Sequence, residues 1–214
     1  PGVAYLTTAM RANAGVMISA SHNSFEDNGI KFFDHDGFKL SDEVEAELQD
    51  FVENQTTQVD RPTGKRVGTA YRIDDAAGRY IEFVKTTFPK EMTLEGLKIV
   101  VDCANGAAYK IAPQVLQELG AQVIAIGVDP NGININNNCG AMHLDMLRKT
   151  VVEAGAHIGI ALDGDADRVI LCDEKGEVVD GDQVIAICAL ELLRDDKWLD
   201  HKIVGTVMTN MGVE

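Results

Sequence analysis

Basic residues are scarce in this sequence. The 214 residues include 19 Lys and Arg against 34 Asp and Glu, which gives a formal net charge of −15. Nucleic acids and anionic membranes attract clustered Lys and Arg, so this charge argues against both as partners. If the substrate carries phosphate, positive charge has to be supplied locally, and a bound divalent cation would supply it.

Paired cysteines and long apolar segments are also missing. The four cysteines show no CxxC spacing and no zinc-like interval to a histidine: Cys103, Cys139, Cys172 and Cys188. We therefore expect buried, reduced thiols and a reducing, cytoplasmic location. No apolar run reaches the roughly 20 residues that a membrane-spanning helix needs. Because the chain opens at Pro1 without Met and stops just after an apolar run, we expect a fragment.

The first third of the chain predicts a helix, a strand at 14–19, a polar loop, a strand at 29–33 and a helix at 41–54. A polar segment at 55–70 with Pro62, Gly64 and Gly68 is the best candidate linker. A helix from about 74 to 88 follows and ends before Pro89.

The middle of the chain alternates regularly between strand and helix signals. Strands are predicted at 97–104, 121–127 and 157–162, and the helices between them at 113–119 and 143–154. This order predicts a parallel βαβαβ sheet with right-handed crossovers. We expect 169–172 to return as a hairpin-like strand, followed by a helix from Asp180 and a strand at 202–208.

The fold class is therefore α/β, with mixed or parallel sheets sandwiched by helices. We expect residues 1–70 to be the C-terminal part of a first domain and residues 71–179 to be a complete second domain. Residues 180–214 are expected to begin a third domain.

The strongest chemical signal is DGDADR at 163–168, directly after a buried strand. Asp163, Asp165 and Asp167 alternate with small residues, so their carboxylates can converge at the mouth of the sheet, where open α/β sheets bind ligands. Such a group needs a neutralising cation with a preference for oxygen ligands, and Mg²⁺ is the usual one where phosphates are handled.

Three other interpretations of this motif stay open at this point. In a calcium EF-hand, Glu174 would be the twelfth loop position, but Arg168 stands where the sixth position needs Gly, and the flanks are strands. An aspartyl-nucleophile phosphatase also places D-x-D after a strand, yet it needs partner residues that we cannot place. An acidic surface turn without function is the third.

A second signal is the loop Ser19-Ala20-Ser21-His22-Asn23. A Ser beside a His suggests a hydrolase, but the GxSxG nucleophile elbow is missing. A serine at a strand end could instead carry a phosphoryl group whose oxygen completes the coordination by the three Asp. A Ser/Asn turn that satisfies its own backbone is the alternative.

Two stretches together resemble the α-D-phosphohexomutase family: GVMISASHNSFEDNGIKFF at 15–33 and DGDADR at 163–168. Four further stretches are similar to the branch of the family that acts on glucosamine phosphates: DAAGRYIEFVKTTFP at 75–89, LKIVVDCANGAAYKIAP at 97–113, PNGININNNCG at 130–140 and EVVDGDQ at 177–183. The resemblance covers essentially the whole chain and implies about half of a four-domain protein.

The resemblance implies a role for each matching residue. Ser21 would be the phosphoserine, and one of its phosphate oxygens would join Asp163, Asp165 and Asp167 around Mg²⁺. Arg168 would contact the phosphoryl group. Lys31 would be a general acid or base, while His22 and Asn23 would support the loop and the hydroxyl of Ser19 would assist.

The implied reaction converts glucosamine 6-phosphate to glucosamine 1-phosphate through a bisphosphorylated sugar, in the supply of cell-wall precursors. The partner is then a phosphorylated amino sugar, with no nucleic acid and no membrane, and a homodimer is one candidate for the complete protein. We expect the 214-residue chain to be inactive alone. The alternatives are a phosphomannomutase or phosphoglucomutase of the same family and, more remotely, a non-catalytic module that binds divalent cations.

One position departs from the family pattern. The family usually has Pro after Ser-His-Asn, whereas this chain has Ser24. Proline fixes φ, so its replacement is expected to leave the loop more mobile.

Overall fold

A computed structural model describes residues 1–55, 60–194, 202–210 and 212. The chain divides into two compact units: Pro1–Ser19 with Gly29–Pro89, and Ala20–Asn28 with Lys90–Glu214. The loop that carries Ser21 therefore belongs to the second unit. The domain boundaries at 70 and 179 stay predictions.

The described residues of the first unit form a two-stranded antiparallel sheet and three α-helices. Strand β1 (Gly15–Ser19) pairs with β2 (Gly29–Phe33), with Ser19 opposite Gly29. The helices are α1 (Gly2–Ala9), α2 (Asp42–Asp50) and α3 (Ala76–Lys85). These elements confirm the predicted order of helix, strand, loop, strand and helix.

Local signals explain where α2 begins. The Ser41 hydroxyl accepts a hydrogen bond from the backbone N–H of Val44, and Asp42, Glu43 and Glu45 place negative charge in the first turn. The helix continues past Asp50 as a π-helical turn at Phe51–Gln55, so its α-helical part is shorter than the predicted 41–54.

The second unit is built on a five-stranded mixed sheet. Its strands are β3 (Lys98–Asp102), β4 (Gln122–Ile126), β5 (Ile158–Leu162), β6 (Val169–Cys172) and β7 (Val178–Val179). The spatial order is β4-β3-β5-β6-β7, with β3 parallel to β4 and β5, and β6 antiparallel to both β5 and β7. The parallel βαβαβ core and the antiparallel return are both confirmed; the short β7 was missed.

The helices of this unit lie on both faces of the sheet. Helix α4 (Ile111–Glu118) connects β3 to β4, and α5 (Asp145–Ala154) connects β4 to β5. Since these crossovers run in opposite directions along the sheet, the right-handed rule places α4 and α5 on opposite faces. Because β3, β4 and β5 are parallel, their carboxyl ends lie at the same edge of the sheet.

The core under α5 is fully buried. Leu147 and Val151 of α5 pack with Val100 of β3, Ala161 of β5 and Cys172 of β6. No side chain fits at Gly159, because an added Cβ would lie 2.8 Å from Val151 and 3.0 Å from Leu147. Close packing of this kind fixes β5 and hence the loop that follows it.

The last helix is α6 (Gly181–Leu193), and it starts with a capping box. The Asp180 side chain accepts from the N–H of Gln183 at 2.9 Å, and the Gln183 side chain accepts from the N–H of Asp180 at 2.9 Å. The strand expected at 202–208 is not formed, because these described residues have no strand partner and Val204, Val207 and Met208 are exposed. Among the described helices, none is both long and apolar enough to cross a membrane.

Three of the four cysteines are buried, as expected, whereas Cys188 on α6 is exposed. Burial, helped by the negative charge of Asp102, raises the pKa of Cys103 to about 12. The same two causes, burial first, raise the pKa of Cys139 to about 11, and burial also raises the pKa of Cys172. Because the thiolate is the reactive form, these three thiols should be inert.

We therefore expect iodoacetamide to alkylate Cys188 in the folded chain on the order of 100-fold faster than Cys103, Cys139 or Cys172. Peptide mass spectrometry over a time course measures the four rates. Urea-unfolded chain is the control, in which all four should react alike. Native labelling of Cys103 as fast as that of Cys188 would contradict the burial described here.

Candidate functional site

The six residues that connect β5 to β6 form the Asp163–Arg168 loop. Asp163 is fully buried and Asp165 is 7% exposed, whereas Asp167 is exposed. Ala166 at φ 57° turns the chain back toward β6. One carboxylate oxygen from each of the three Asp lies within 4.8 Å of the other two. The loop thus converges its carboxylates at the carboxyl end of a parallel strand, as the sequence predicts.

Asp163 has the most demanding environment of the three. Burial raises the pKa of its carboxyl, and the charges of Asp165 and Asp167 add to the shift; the backbone N–H and the guanidinium of Arg168 act in the opposite direction. The Arg168 N–H donates to Oδ1 at 3.2 Å, and Arg168 Nε lies 3.8 Å from Oδ2. Among the described residues, none donates a hydrogen bond to Oδ2.

A cation would satisfy this arrangement. A buried carboxylate is costly unless it is paired or coordinates a metal, and the half-exposed Arg168 offers only a distant contact. The donor atoms are all carboxylate oxygens, which suit Mg²⁺ or Ca²⁺ better than softer metals. The flanks of the loop are strands and Glu174 is outside the cluster, so the EF-hand interpretation does not fit.

The Ser21 loop, residues 20–28, follows β1. Ala20 is buried at 3% exposure, and its carbonyl accepts from the Asn23 N–H at 2.9 Å, which closes a tight turn around Ser21 and His22. Ser21 has φ 52°, a left-handed conformation that non-glycine residues rarely adopt. Its Oγ lies 3.4 Å from Nδ1 of His22. Such sparsely populated backbone is typical of functional sites.

The Ser21 loop lies directly against the Asp163–Arg168 loop. A Cβ added to Gly164 would lie only 2.5 Å from the carbonyl oxygen of Ser21. The Gly164 carbonyl in turn accepts from the N–H of Ala107, in the loop that follows β3, at 2.8 Å. Gly164 therefore permits three backbone segments to meet at the edge of the sheet, and a side chain there would push the Ser21 loop away.

Family models match most of the chain. The models are the α/β/α domains I, II and III of phosphoglucomutase/phosphomannomutase, and they match residues 1–59, 78–176 and 180–214. The chain belongs to the phosphoglucomutase/phosphomannomutase family. The resemblance to the phosphohexomutases inferred from the sequence is thus confirmed, and so is the fold class.

Curated relatives agree with this assignment. The chain is 60% identical over all 214 residues to phosphoglucosamine mutase of Geobacter sp. (strain M21), and 59% identical to that of Myxococcus xanthus (strain DK1622). In both cases the match covers 100% of this chain and 47% of the relative. The chain therefore spans about half the length of the curated relatives it matches.

Solved phosphohexomutase structures share the fold. A phosphoglucomutase/phosphomannomutase family protein from Burkholderia thailandensis aligns with a TM-score of 0.63 and 24% identity, over 85% of this chain and 38% of that one. N-acetylphosphoglucosamine mutase from Aspergillus fumigatus aligns with a TM-score of 0.56 and 21% identity, over 90% of this chain and 51% of that one. At these identities the likeness concerns the fold alone.

The structure brings most of the proposed phosphohexomutase residues into one unit. Ser21, His22 and Arg168 lie there with the cluster of three Asp. Lys31 belongs to the other unit, where it is half-buried on β2 opposite Met17. The catalytic and metal-binding roles of all these residues stay predictions.

Sequence reasoning missed the residues that hold these loops. The side chain of Asn136 donates to the carbonyls of Ser21 and Asn23, both at 2.8 Å. Buried Asp102, at the end of β3, accepts from the N–H groups of Ala104 at 2.9 Å and Gly140 at 2.7 Å. In the sequence, Asp102 is visible only as an acid at the end of an apolar strand, and Asn136 only as one asparagine of an Asn-rich stretch. Neither feature predicts the hydrogen-bond partner.

Restoring the family's usual residue at position 24 is expected to stabilise the chain. Ser24 has φ −68°, which already matches the value that proline imposes. Ser24→Pro should raise the free energy of unfolding by about 0.4–1 kcal/mol, because the unfolded chain loses freedom. Urea unfolding measures the change, with Ser24→Ala as the control. A decrease in stability would mean that the loop differs from the conformation described here.

Proposed function

We propose that the polypeptide to which this chain belongs is a phosphoglucosamine mutase that interconverts glucosamine 6-phosphate and glucosamine 1-phosphate. The observation that supports this most strongly is the identity of about 60% to curated phosphoglucosamine mutases over the whole chain. The aligned region covers both the Ser21 loop and the Asp163–Arg168 loop. The contact between these loops supports it as well, because the backbone of Ser21 lies against the loop that carries the three Asp.

In the proposed reaction Ser21 starts as a phosphoserine. The bond between phosphorus and Ser21 Oγ breaks as the O1 hydroxyl of glucosamine 6-phosphate attacks, which gives a sugar 1,6-bisphosphate and the serine hydroxyl. The sugar then turns over in the site. Ser21 Oγ attacks the 6-phosphoryl group, so glucosamine 1-phosphate leaves and the phosphoserine is restored.

The side chains around Ser21 suit this chemistry. Phosphoryl transfer depends on positioning and charge neutralisation more than on covalent help from the protein. His22, with Nδ1 3.4 Å from Oγ, can orient the serine hydroxyl when it accepts the returning phosphoryl group. Arg168 Nε lies 3.8 Å from both Asp163 and Asp167, which keeps a guanidinium beside the loop for the phosphate oxygens. The resemblance to the family, and no contact described here, is the reason to propose Lys31 as the general acid or base for the sugar hydroxyl.

The three Asp of the cluster would hold Mg²⁺, with an oxygen of phosphoserine 21 as a further ligand. When bound, the ion neutralises charge on the transferring phosphoryl group. Asp163 gives this proposal its structural basis, because its buried Oδ2 receives no hydrogen bond from the described residues.

A phosphorylated amino sugar is thus the proposed partner, and a cytoplasmic location fits the buried, reduced thiols. We expect the 214-residue chain alone not to turn over substrate, because it spans only 47% of the relatives' length. Measurable conversion of glucosamine 6-phosphate by this chain would contradict that expectation.

Steady-state kinetics of the complete polypeptide test the proposal. Glucosamine 6-phosphate, glucose 6-phosphate and mannose 6-phosphate are compared at saturating Mg²⁺ with a catalytic amount of the matching bisphosphate. We expect kcat/KM to be highest for the amino sugar. A preference for glucose or mannose phosphate would reassign the enzyme within the family. If none of the three sugar phosphates is converted, and the protein binds Ca²⁺ but carries no covalent phosphate, a cation-binding module would be favoured.

A further inference from the structure

One buried amide holds the main chain on both sides of His22. Asn136 is 7% exposed, and its Nδ2 donates to Ser21 O and to Asn23 O, each at 2.8 Å. A side-chain amide nitrogen has two hydrogens, so both donors are used on two carbonyls of the same turn. Asn136 therefore restrains the position of the Ser21 backbone directly.

Asn136 is itself fixed to the segment that follows β3, an interior strand of the sheet. Its backbone N–H donates to the Ala104 carbonyl at 2.9 Å, and the Ala104 N–H donates to the buried carboxylate of Asp102 at the end of β3. The backbone of Asn136 has φ 58°, a left-handed conformation that asparagine tolerates better than most residues. A chain of hydrogen bonds thus connects β3 to the Ser21 loop.

The amide also lies beside the Asp163–Arg168 loop. A Cβ on Gly164 would lie 2.8 Å from Asn136 Nδ2 and 2.5 Å from Ser21 O, so the amide, the Ser21 backbone and the Asp163–Arg168 loop meet at one point. Ser21 is held in a sparsely populated conformation at φ 52°, which persists only where the surroundings enforce it.

We propose that Asn136 is a positioning residue for phosphoryl transfer, which holds Ser21 in register with the Asp163–Arg168 loop. This role rests on the proposed function, because it assumes that Ser21 carries the phosphoryl group. Asn136 touches the backbone of the loop and acts through Ser21. Misplacing a reacting group by about 1 Å can cost on the order of 100-fold in rate.

The test compares Asn136→Gly with Asn138→Gly. Glycine keeps the left-handed backbone and removes only the side chain. Asn138 is a matched control: it has φ 52°, is exposed, and its side chain donates to the neighbouring Asn137 side chain. A second variant, Asn136→Asp, keeps the shape of the side chain but cannot donate to either carbonyl when ionised.

Hydrogen–deuterium exchange tests the restraint without reference to activity. In the complete polypeptide we expect peptides covering 20–28 to exchange on the order of tenfold faster in Asn136→Gly, because two hydrogen bonds are lost. The Asn138→Gly control should match the wild type. Unchanged exchange in both Asn136 variants would overturn the proposal, whatever the enzyme does.

Kinetics of the same proteins test the positioning role. We expect Asn136→Gly to lower kcat on the order of 100-fold, with KM within about threefold of the wild type. Faster exchange combined with wild-type kcat would overturn the role. A wild-type protein that a sugar bisphosphate cannot phosphorylate would instead refute the proposed function, and this outcome is read from the wild type alone.

Discussion

Replacing Asp163 with Asn is expected to weaken Mg²⁺ binding by about 100-fold or more, since even replacing a residue that only hydrogen-bonds to a metal ligand costs 10–100-fold. Asp163 is the fully buried member of the cluster, and its Oδ2 accepts no hydrogen bond from the described residues. Asparagine would replace a charged ligand with a neutral one and turn an N–H₂ group toward the cation. Isothermal titration of the 214-residue chain measures the affinity without any enzymatic assay.

The stability of the same variant should not fall along with its affinity for Mg²⁺. The pKa of the Asp163 carboxyl is raised in the folded chain, chiefly by burial, so above that pKa its ionised form opposes folding. Without a cation at neutral pH, Asp163→Asn should therefore unfold at no lower temperature than the wild type. Weaker metal binding together with retained stability would separate loss of a ligand from loss of the fold.

Glu174→Gln is the matched control for the metal experiment. Glu174 is an exposed acid six residues beyond the motif and would be the twelfth position of a calcium EF-hand. It lies outside the cluster of three Asp, so its replacement should leave the affinity within about twofold of the wild type. Loss of binding in Glu174→Gln, or wild-type binding in Asp163→Asn, would contradict the site described here.

Replacing Ser21 with Ala is expected to remove the activity of the complete polypeptide. Loss of the nucleophile from a covalent enzyme can lower kcat on the order of 10⁶-fold, since neighbouring groups have nothing to act on. Ser24→Ala is the matched control, because Ser24 is exposed in the same loop and caps a short 3-10 helix without a side-chain hydrogen bond.

Binding of the sugar bisphosphate and thermal unfolding together show whether Ser21→Ala has lost only its nucleophile or has also lost its fold. Ser21→Ala should still bind the sugar bisphosphate, and its thermal unfolding should match that of Ser24→Ala. Turnover by Ser21→Ala within tenfold of the wild type would show that the phosphoryl group travels by another route.

The sequence predicted those parts of the site that depend on neighbours along the chain. Asp163, Asp165 and Asp167 are within five residues of one another, and a turn between an apolar strand and its antiparallel return leaves few ways to arrange them. The βαβαβ order was readable because Ile99, Val100 and Val101 form a short strand buried on both faces.

The features that depend on distant residues were not readable. Asn136 holds Ser21 across 115 positions of sequence, and an asparagine in an Asn-rich stretch carries no mark of that partner. The apolar residues at 202–208 suggested a strand, but a strand needs a hydrogen-bonded neighbour and the described chain offers none. Cys188 was expected to be buried because its segment is apolar, yet it lies on an exposed face of α6.

Mapping covalent phosphate on the complete polypeptide tests the central claim most directly. The protein is incubated with glucosamine 1,6-bisphosphate and Mg²⁺, digested, and analysed by mass spectrometry on the peptide that holds Ser19, Ser21 and Ser24. The account predicts one phosphoryl group on Ser21, which passes to added glucosamine 6-phosphate and is restored to Ser21 as glucosamine 1-phosphate forms. A Ser21 that stays unmodified, or a phosphate on Ser19 or Ser24 instead, would contradict it.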